Sequence, residues 1–226
     1  MPELPAFPAA LEPACGRDIA AIHDPRPLVI VGARGTGGEV GFATIIWATP
    51  VSHTPPLVAL ALRARSHTMG LLRESGAFSL ATLPADADAA RLAELCGNRT
   101  GHAFDKAAAV DYVLAAAGGA APAEDAEDED AAGTRDESAA VPAADAPGES
   151  ADGAALVPVP AMALSWEACA VRSVQEAGDH LLVIGEVTRA ATRGSRDDAG
   201  RLAPVETLLC IHHGAYAPVG APLELP

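Results

Sequence analysis

"GARGTGGEVGF", residues 32–42, follows the apolar run Leu28-Val29-Ile30-Val31 and holds five glycines in eleven positions. Glycines after a strand either cradle a phosphate or turn the chain back on itself, and the two readings lead to different folds. A P-loop needs Gly, four residues, then Gly-Lys-Ser/Thr. Here Gly32 and Gly37 are correctly spaced, but Gly38 and Glu39 fill the next two positions, and a carboxylate there repels phosphate. The dinucleotide fingerprint fails as well, because counting from Gly35 and Gly37 puts Val40 at its third glycine. Val40-Gly41-Phe42-Ala43-Thr44-Ile45-Ile46-Trp47 then reads as a second strand, not as the helix of a crossover. The stretch is predicted to be a β-hairpin turn that binds nothing by itself.

Working outward, short β-rich runs bounded by Gly, Pro or Asp recur at 27–32, 40–48, 57–62, 78–83, 164–174, 180–191 and 206–213. Helices are predicted at 66–75, opened by Ser66 and closed by Gly76, and at 88–96, closed by Gly97. Strands outnumber helices and do not alternate with them, which disfavours a doubly wound parallel sheet and points to a barrel with a few appended helices.

Half of the 226 residues are hydrophobic and the formal net charge is −15, which argues against a nucleic-acid partner or an anionic membrane surface. Eleven acidic residues against the single Arg135 lie between Glu124 and Asp152, so that segment carries −10 of the total. Residues 115–156 therefore read as an acidic, disordered insertion, between the two parts of one domain (25–114 and 157–226) that follows an N-terminal extension (1–24). No apolar run approaches a membrane span, and the first residues lack the basic and apolar regions of a signal peptide, so the expectation is a soluble cytoplasmic protein. Cys15, Cys96, Cys169 and Cys210 form no CxxC pair and read as reduced core thiols. No metal is expected, although Cys210-Ile211-His212-His213 places three candidate ligands together.

One stretch does suit a phosphate. Leu60-Ala61-Leu62-Arg63-Ala64-Arg65-Ser66-His67-Thr68 ends a strand in two arginines and opens a helix with two hydroxyls and a histidine. A helix start offers free N–H groups and the positive end of its dipole. From this stretch alone, phosphate binding and plain helix capping by Ser66 remain equally open.

Five segments in order resemble the flavin reductase-like, FMN-binding split-barrel family. They are "ATIIWATPVSHTPPLVALALRARSHT" (43–68), "SGAFSLATLP" (75–84), "CGNRTGHAFDK" (96–106), "GDHLLVIGEV" (178–187) and "HHGAYAPVG" (212–220). The likeness departs from the family pattern in the acidic insertion and in Thr100, which stands where a Ser is often found. It implies a mainly β fold: an antiparallel six-stranded split β-barrel with appended helices, a homodimer, bound FMN (FAD as the alternative), and NADH or NADPH as donor. It further implies that Thr44, Ile45, Ile46 and Trp47 contact the flavin ring, that Arg63, Arg65, Ser66, His67 and Thr68 hold the phosphate, and that Lys106 adds a cation. Asp179 and His180 would lie on the nicotinamide side as catalytic residues. Trp47 is read equally well as core or dimer contact, and His212 and His213 as barrel-end residues. The activity so implied is an NAD(P)H-dependent flavin reductase, which could pass reduced flavin to a partner oxygenase. The competing reading is an electron-transfer flavoprotein with resident FMN, serving an acceptor protein without NAD(P)H; a third is an interaction protein working through the acidic segment.

Overall fold

A computed structural model of the chain describes residues 18–118, 154–198, 200–203, 205–212 and 214–219. The expectations for Cys15, His213 and the body of the acidic segment lie outside the described residues.

The glycine-rich stretch is a hairpin. Strands β2 (Val29–Arg34) and β3 (Val40–Ile45) pair antiparallel from Val29↔Ile45 to Arg34↔Val40. Gly35 N–H donates to Glu39 O at 2.8 Å, and Gly38 turns the chain at φ 89°, a conformation open to glycine at little cost. The run predicted as one strand over 40–48 breaks at Ile46 and Trp47 and resumes as β4 (Ala48–Ser52). β5 (Leu57–Arg63) follows with clean alternation, Val58, Leu60 and Leu62 being buried. The remaining staves are β6 (Ala77–Thr82), β9 (Ser165–Ala177) and β10 (His180–Thr192).

Together these form one antiparallel sheet in the order β3-β2-β6-β9-β10-β5-β4. Its two edge strands, β3 and β4, are consecutive in the chain and joined only by Ile46 and Trp47. The sheet therefore curls until one bent stave supplies both edges. Counted as hydrogen-bonded strands the sheet has seven members; with the bent stave taken once it has six. The interior is filled by Val31, Leu60, Leu72, Phe78, Cys169 and Val183, all essentially inaccessible.

Helix α2 (His67–Ser75) closes one face. Ser66 Oγ accepts from Met69 N at 3.1 Å, and Gly76 ends the helix at φ 67° with its N–H on Leu72 O. Helix α3 (Ala87–Asn98) is capped by Asp86, whose carboxylate accepts from Ala89 N. It packs against the outer side of β2 and β3, where Leu28, Ile30, Phe42, Ala93 and Cys96 make a second core. Covered on both faces, β2 shows almost no exposed residue, so period-two alternation fails there for a physical reason. A four-residue turn of helix, α1 (Asp18–Ala21), precedes the first strand.

Two small sheets were not expected. β1 (Arg26–Pro27), β11 (Leu209–His212) and β12 (Ala215–Ala217) form one, and β7 (Tyr112–Ala117) with β8 (Ala155–Pro160) the other. The β7–β8 register runs from Tyr112↔Pro160 to Ala117↔Ala155. Ordered backbone thus continues past both edges predicted for the insertion, because Ala115–Ala117 and Ala155–Leu156 have each other as ladder partners.

Candidate functional site

The end of β5 and the start of β10 meet across the sheet. Gly178, at φ 67°, and Asp179 make the two-residue turn between β9 and β10, and the register then places His180 opposite Arg63. Ala64 N donates to Asp179 O at 3.3 Å, tying the β9–β10 turn to the segment leading into α2. His180 Nδ1 lies 2.7 Å from Asp179 Oδ1. That hydrogen bond, followed by the attraction of the imidazole, holds the exposed Asp179 carboxyl below its usual range.

Trp47 comes to the same place from the bend of the barrel. Its ring stands 4.7 Å from that of His180, tilted by 52°, and the Arg26 guanidinium lies over the indole at 5.9 Å. Trp47 is 40% exposed, which rules out the core alternative. A large aromatic left open beside a histidine at a strand end is a platform for a flat ligand.

The stretch from Arg63 to Thr68 sets two exposed arginines at the start of α2. Arg63 and Arg65 are exposed and form no salt bridge among the described residues. The first N–H groups of α2 have no partner within the helix, and Ser66 takes up only that of Met69. Thr68 is buried beneath them. His67 is the surprise: its Nε2 lies 3.0 Å from Glu39 Oε1 on the hairpin, while its Nδ1 is buried without a hydrogen bond. A bare lone pair there costs less than an unpaired N–H, so the proton sits on Nε2, facing the carboxylate. The ring is fixed by two backbones. A methyl at Gly101 would stand 2.6 Å from Nδ1, and one at Gly41 would stand 3.1 Å from it. His102 packs edge-on at 5.2 Å between ring centroids and points its Nε2 at Arg65 O.

Lys106 has a different task from the one predicted. It is 5% exposed, and its Nζ donates to Phe42 O at 2.8 Å and Cys96 O at 2.6 Å. The ammonium joins β3 to the end of α3, and burial lowers its proton affinity. The same burial raises the Cys96 thiol to about 11, the lysine charge opposing only part of the rise. Thr44 is also engaged, its hydroxyl donating to Ala93 O at 2.6 Å. Ile45 points into the barrel core and Ile46 packs on the α3 side. These three side chains hold the bend at Trp47, so only their backbone is left to face a ligand.

The structure therefore brings Trp47, Arg63, Asp179 and His180 together, and sets Arg65, Ser66, His67 and Thr68 directly beyond them in the chain. Sequence reading missed Glu39 and Arg26 as site residues, and held His102 only within the quoted segment 96–106. Nothing in the pattern of residues signals that a hairpin glutamate meets a helix-start histidine; Gly101 was visible only as part of a quoted segment. Among the described residues no three His, Cys, Asp or Glu side chains converge on a metal-sized site. No helix there is long and apolar enough to cross a membrane.

Comparison with solved structures shows the fold. An FMN-binding protein from Thermus thermophilus, bound to 1-cyclohex-2-enone, aligns with a TM-score of 0.67 at 22% identity, covering 98% of this chain and 99% of that one. A flavoredoxin from Methanosarcina acetivorans gives 0.63 at 17%, covering 89% and 88%. An NADH:FAD oxidoreductase from Streptomyces globisporus gives 0.61 at 20%, covering 95% and 100%. No curated protein matches the chain. The flavin reductase-like domain model matches residues 23–220, which span the barrel, α2, α3 and every residue of the site. The chain belongs to the flavin reductase-like family and folds as its split β-barrel.

Proposed function

We propose that the protein is an FMN-binding flavin reductase that takes a hydride from NADH or NADPH. The observation that carries this reading is the placement of an open aromatic–histidine platform, Trp47 and His180, beside Arg63 and Arg65, which form no salt bridge among the described residues and lead into the start of α2. That arrangement suits a ligand with a flat ring at one end and a phosphate at the other. Charge-assisted hydrogen bonds from Arg63 and Arg65 contribute roughly 1.5–3 kcal/mol each, and the α2 dipole adds about 0.3–1 kcal/mol.

When bound, the flavin supplies the hydride-accepting ring. The chain's residues orient and shield. Backbone at Thr44–Trp47 borders the ring, the stretch from Arg63 to Thr68 is the cradle that anchors its phosphate, and His180, steadied by Asp179, flanks the face where a nicotinamide would stack. No strong acid or nucleophile is required for such a transfer. FAD would present the same first phosphate to the cradle. A homodimer, a cytoplasmic setting, and delivery of reduced flavin to a partner oxygenase belong to the same proposal.

A second reading, an electron-transfer flavoprotein with resident FMN, draws support from the likeness to a flavoredoxin and an FMN-binding protein. Anaerobic titration of the FMN-loaded protein with NADH and then NADPH separates the two. Bleaching of the flavin absorbance well above the protein-free rate supports the reductase. Flavin that binds tightly but stays oxidised until a chemical reductant is added supports the carrier. Failure to bind FMN at all sinks both.

A further inference from the structure

The β2–β3 hairpin lies along α2 and reaches both of its ends. Gly35 and Gly41 permit the close approach, since a methyl at either would stand 2.9 Å from the Leu71 side chain. Glu74, in the last turn of α2, accepts from Thr36 N at 3.1 Å and from the Thr36 hydroxyl. The hairpin is therefore docked on the helix without help from Glu39. The Glu39 carboxylate nevertheless sits at the opposite end of α2, 3.0 Å from His67 Nε2, and has no other partner among the described residues.

A side chain that is 65% exposed gains little from one such contact. Its larger effect falls on the site. His67 Nδ1 is buried with no acceptor, so a second proton on the ring would be an orphaned N–H, and the pair keeps the carboxylate's negative charge. That charge lies beside the positive end of the α2 dipole, where the N–H groups of His67 and Thr68 have no partner within the helix. An anion already held there opposes a second one brought to the same place.

We propose that Glu39 is an internal competitor for the flavin phosphate: its carboxylate takes the imidazole N–H and the helix end that a phosphate would use, and so weakens the hold on FMN. This role rests on the flavin phosphate lying at Arg63–Thr68, as proposed above. It favours a flavin that exchanges over one that stays. It also gives Glu39 effects of opposite sign, because a carboxylate beside a helix start stabilises the fold while it repels the phosphate.

Glu39→Gln tests this by removing the charge and keeping an oxygen for the His67 Nε2 proton. Dissociation constants of FMN and riboflavin are measured by flavin fluorescence on the full chain, in about 20 mM and about 500 mM salt. At low salt FMN should bind Glu39→Gln about threefold to tenfold more tightly than wild type, and the gain should shrink at high salt. Riboflavin, which lacks the phosphate, should stay within about twofold, and the urea midpoint should fall slightly. Glu39→Ala, which removes the contact altogether, should tighten FMN as well. Glu74→Gln makes the same change in net charge at the far end of α2 and should leave FMN affinity within about twofold. Unchanged or weaker FMN binding in both Glu39 variants overturns the competitor role, since a contact that only supports the fold would lower stability and affinity together. An equal gain for riboflavin, or in Glu74→Gln, overturns it too. Wild-type protein that binds FMN no better than riboflavin removes the phosphate site itself, and the competitor role with it. A clear preference for FMN that Glu39→Gln does not increase ends the competitor role alone and leaves the phosphate site standing.

Discussion

Lys106 separates what the chain suggests from what the fold does with it. As a phosphate ligand, its loss would weaken FMN binding and leave stability nearly unchanged. As a tie between β3 and α3, its loss should do the reverse. Lys106→Met keeps most of the stem's packing and removes only the ammonium. Two carbonyls, Phe42 O and Cys96 O, then lose their donor. Each orphaned buried acceptor costs about 1–3 kcal/mol. Relief from burying a charge, the same effect that lowers the lysine's proton affinity, returns part of that. The net expectation is a loss of about 2–4 kcal/mol, a large share of the roughly 5–15 kcal/mol that holds a domain. Urea unfolding followed by circular dichroism at pH 7.5 reads this directly, with the slope unchanged and the midpoint lowered. FMN affinity, measured by fluorescence well below the transition, should stay within about threefold. A variant with the wild-type midpoint and badly weakened FMN would refute the structural reading and restore the phosphate role.

The remaining predictions probe the site and the core. Gly101→Ala places a methyl 2.6 Å from His67 Nδ1 and must displace the ring. It should cost about 1–3 kcal/mol of stability and weaken FMN more than riboflavin, so equal effects on the two flavins would count against the cradle. His180→Ala should slow NADH oxidation by about tenfold or more while FMN affinity holds; loss of both together would mean that the ring merely supports the fold. Alkaline pH should destabilise the protein through Cys96, whose thiol is raised from 9.0 to about 11. Below pH 9 both states keep the proton. Above it the unfolded chain ionises first, so about 2 kcal/mol is lost by pH 11. Lys106, lowered from 10.5, acts with the opposite sign and offsets part of the loss. Urea midpoints at pH 8 and 10.5 should therefore fall less in Cys96→Ala than in wild type, and an equal fall would remove Cys96 as the cause.

Much of the barrel was legible because its strands obey one rule each. β5, with one face in the core, alternates in the way period-two reading needs. α2 announces both ends, through Ser66 and Gly76. The failures share a cause: pairing partners distant in sequence. β7 and β8 are separated by the acidic segment, and β1 exists only because Arg26 and Pro27 meet Cys210 and Leu209. The break at Ile46–Trp47 was hidden too, since both residues are good strand formers and only closure of the sheet asks the chain to bend there. At the site, residue types identified the cradle, yet the contacts that decide its electrostatics came from elsewhere. Lys106 looked like a free cation until two carbonyls claimed it, and His67 was read only as a phosphate contact, although its Nε2 faces Glu39.

The bend is where fold and site become one problem. A closed sheet must bring β3 and β4 to opposite edges, so the two residues between them cannot satisfy both ladders. Trp47 O still accepts from Ala61 N at 2.9 Å, while its side chain leaves the core and turns to His180. Thr44, through its bond to Ala93 O, and Ile45 and Ile46, through packing on either side, fix the chain just before the bend. The platform is thus held by rigid strands and a helix, and a site on such elements keeps its geometry better than one on loops. The cradle follows the same logic from the other direction, since β5 delivers Arg63 at its last residue and α2 begins four positions later. Closing the barrel and aiming the site are therefore the same act, which makes the backbone at 44–47 the place where a change in one must disturb the other.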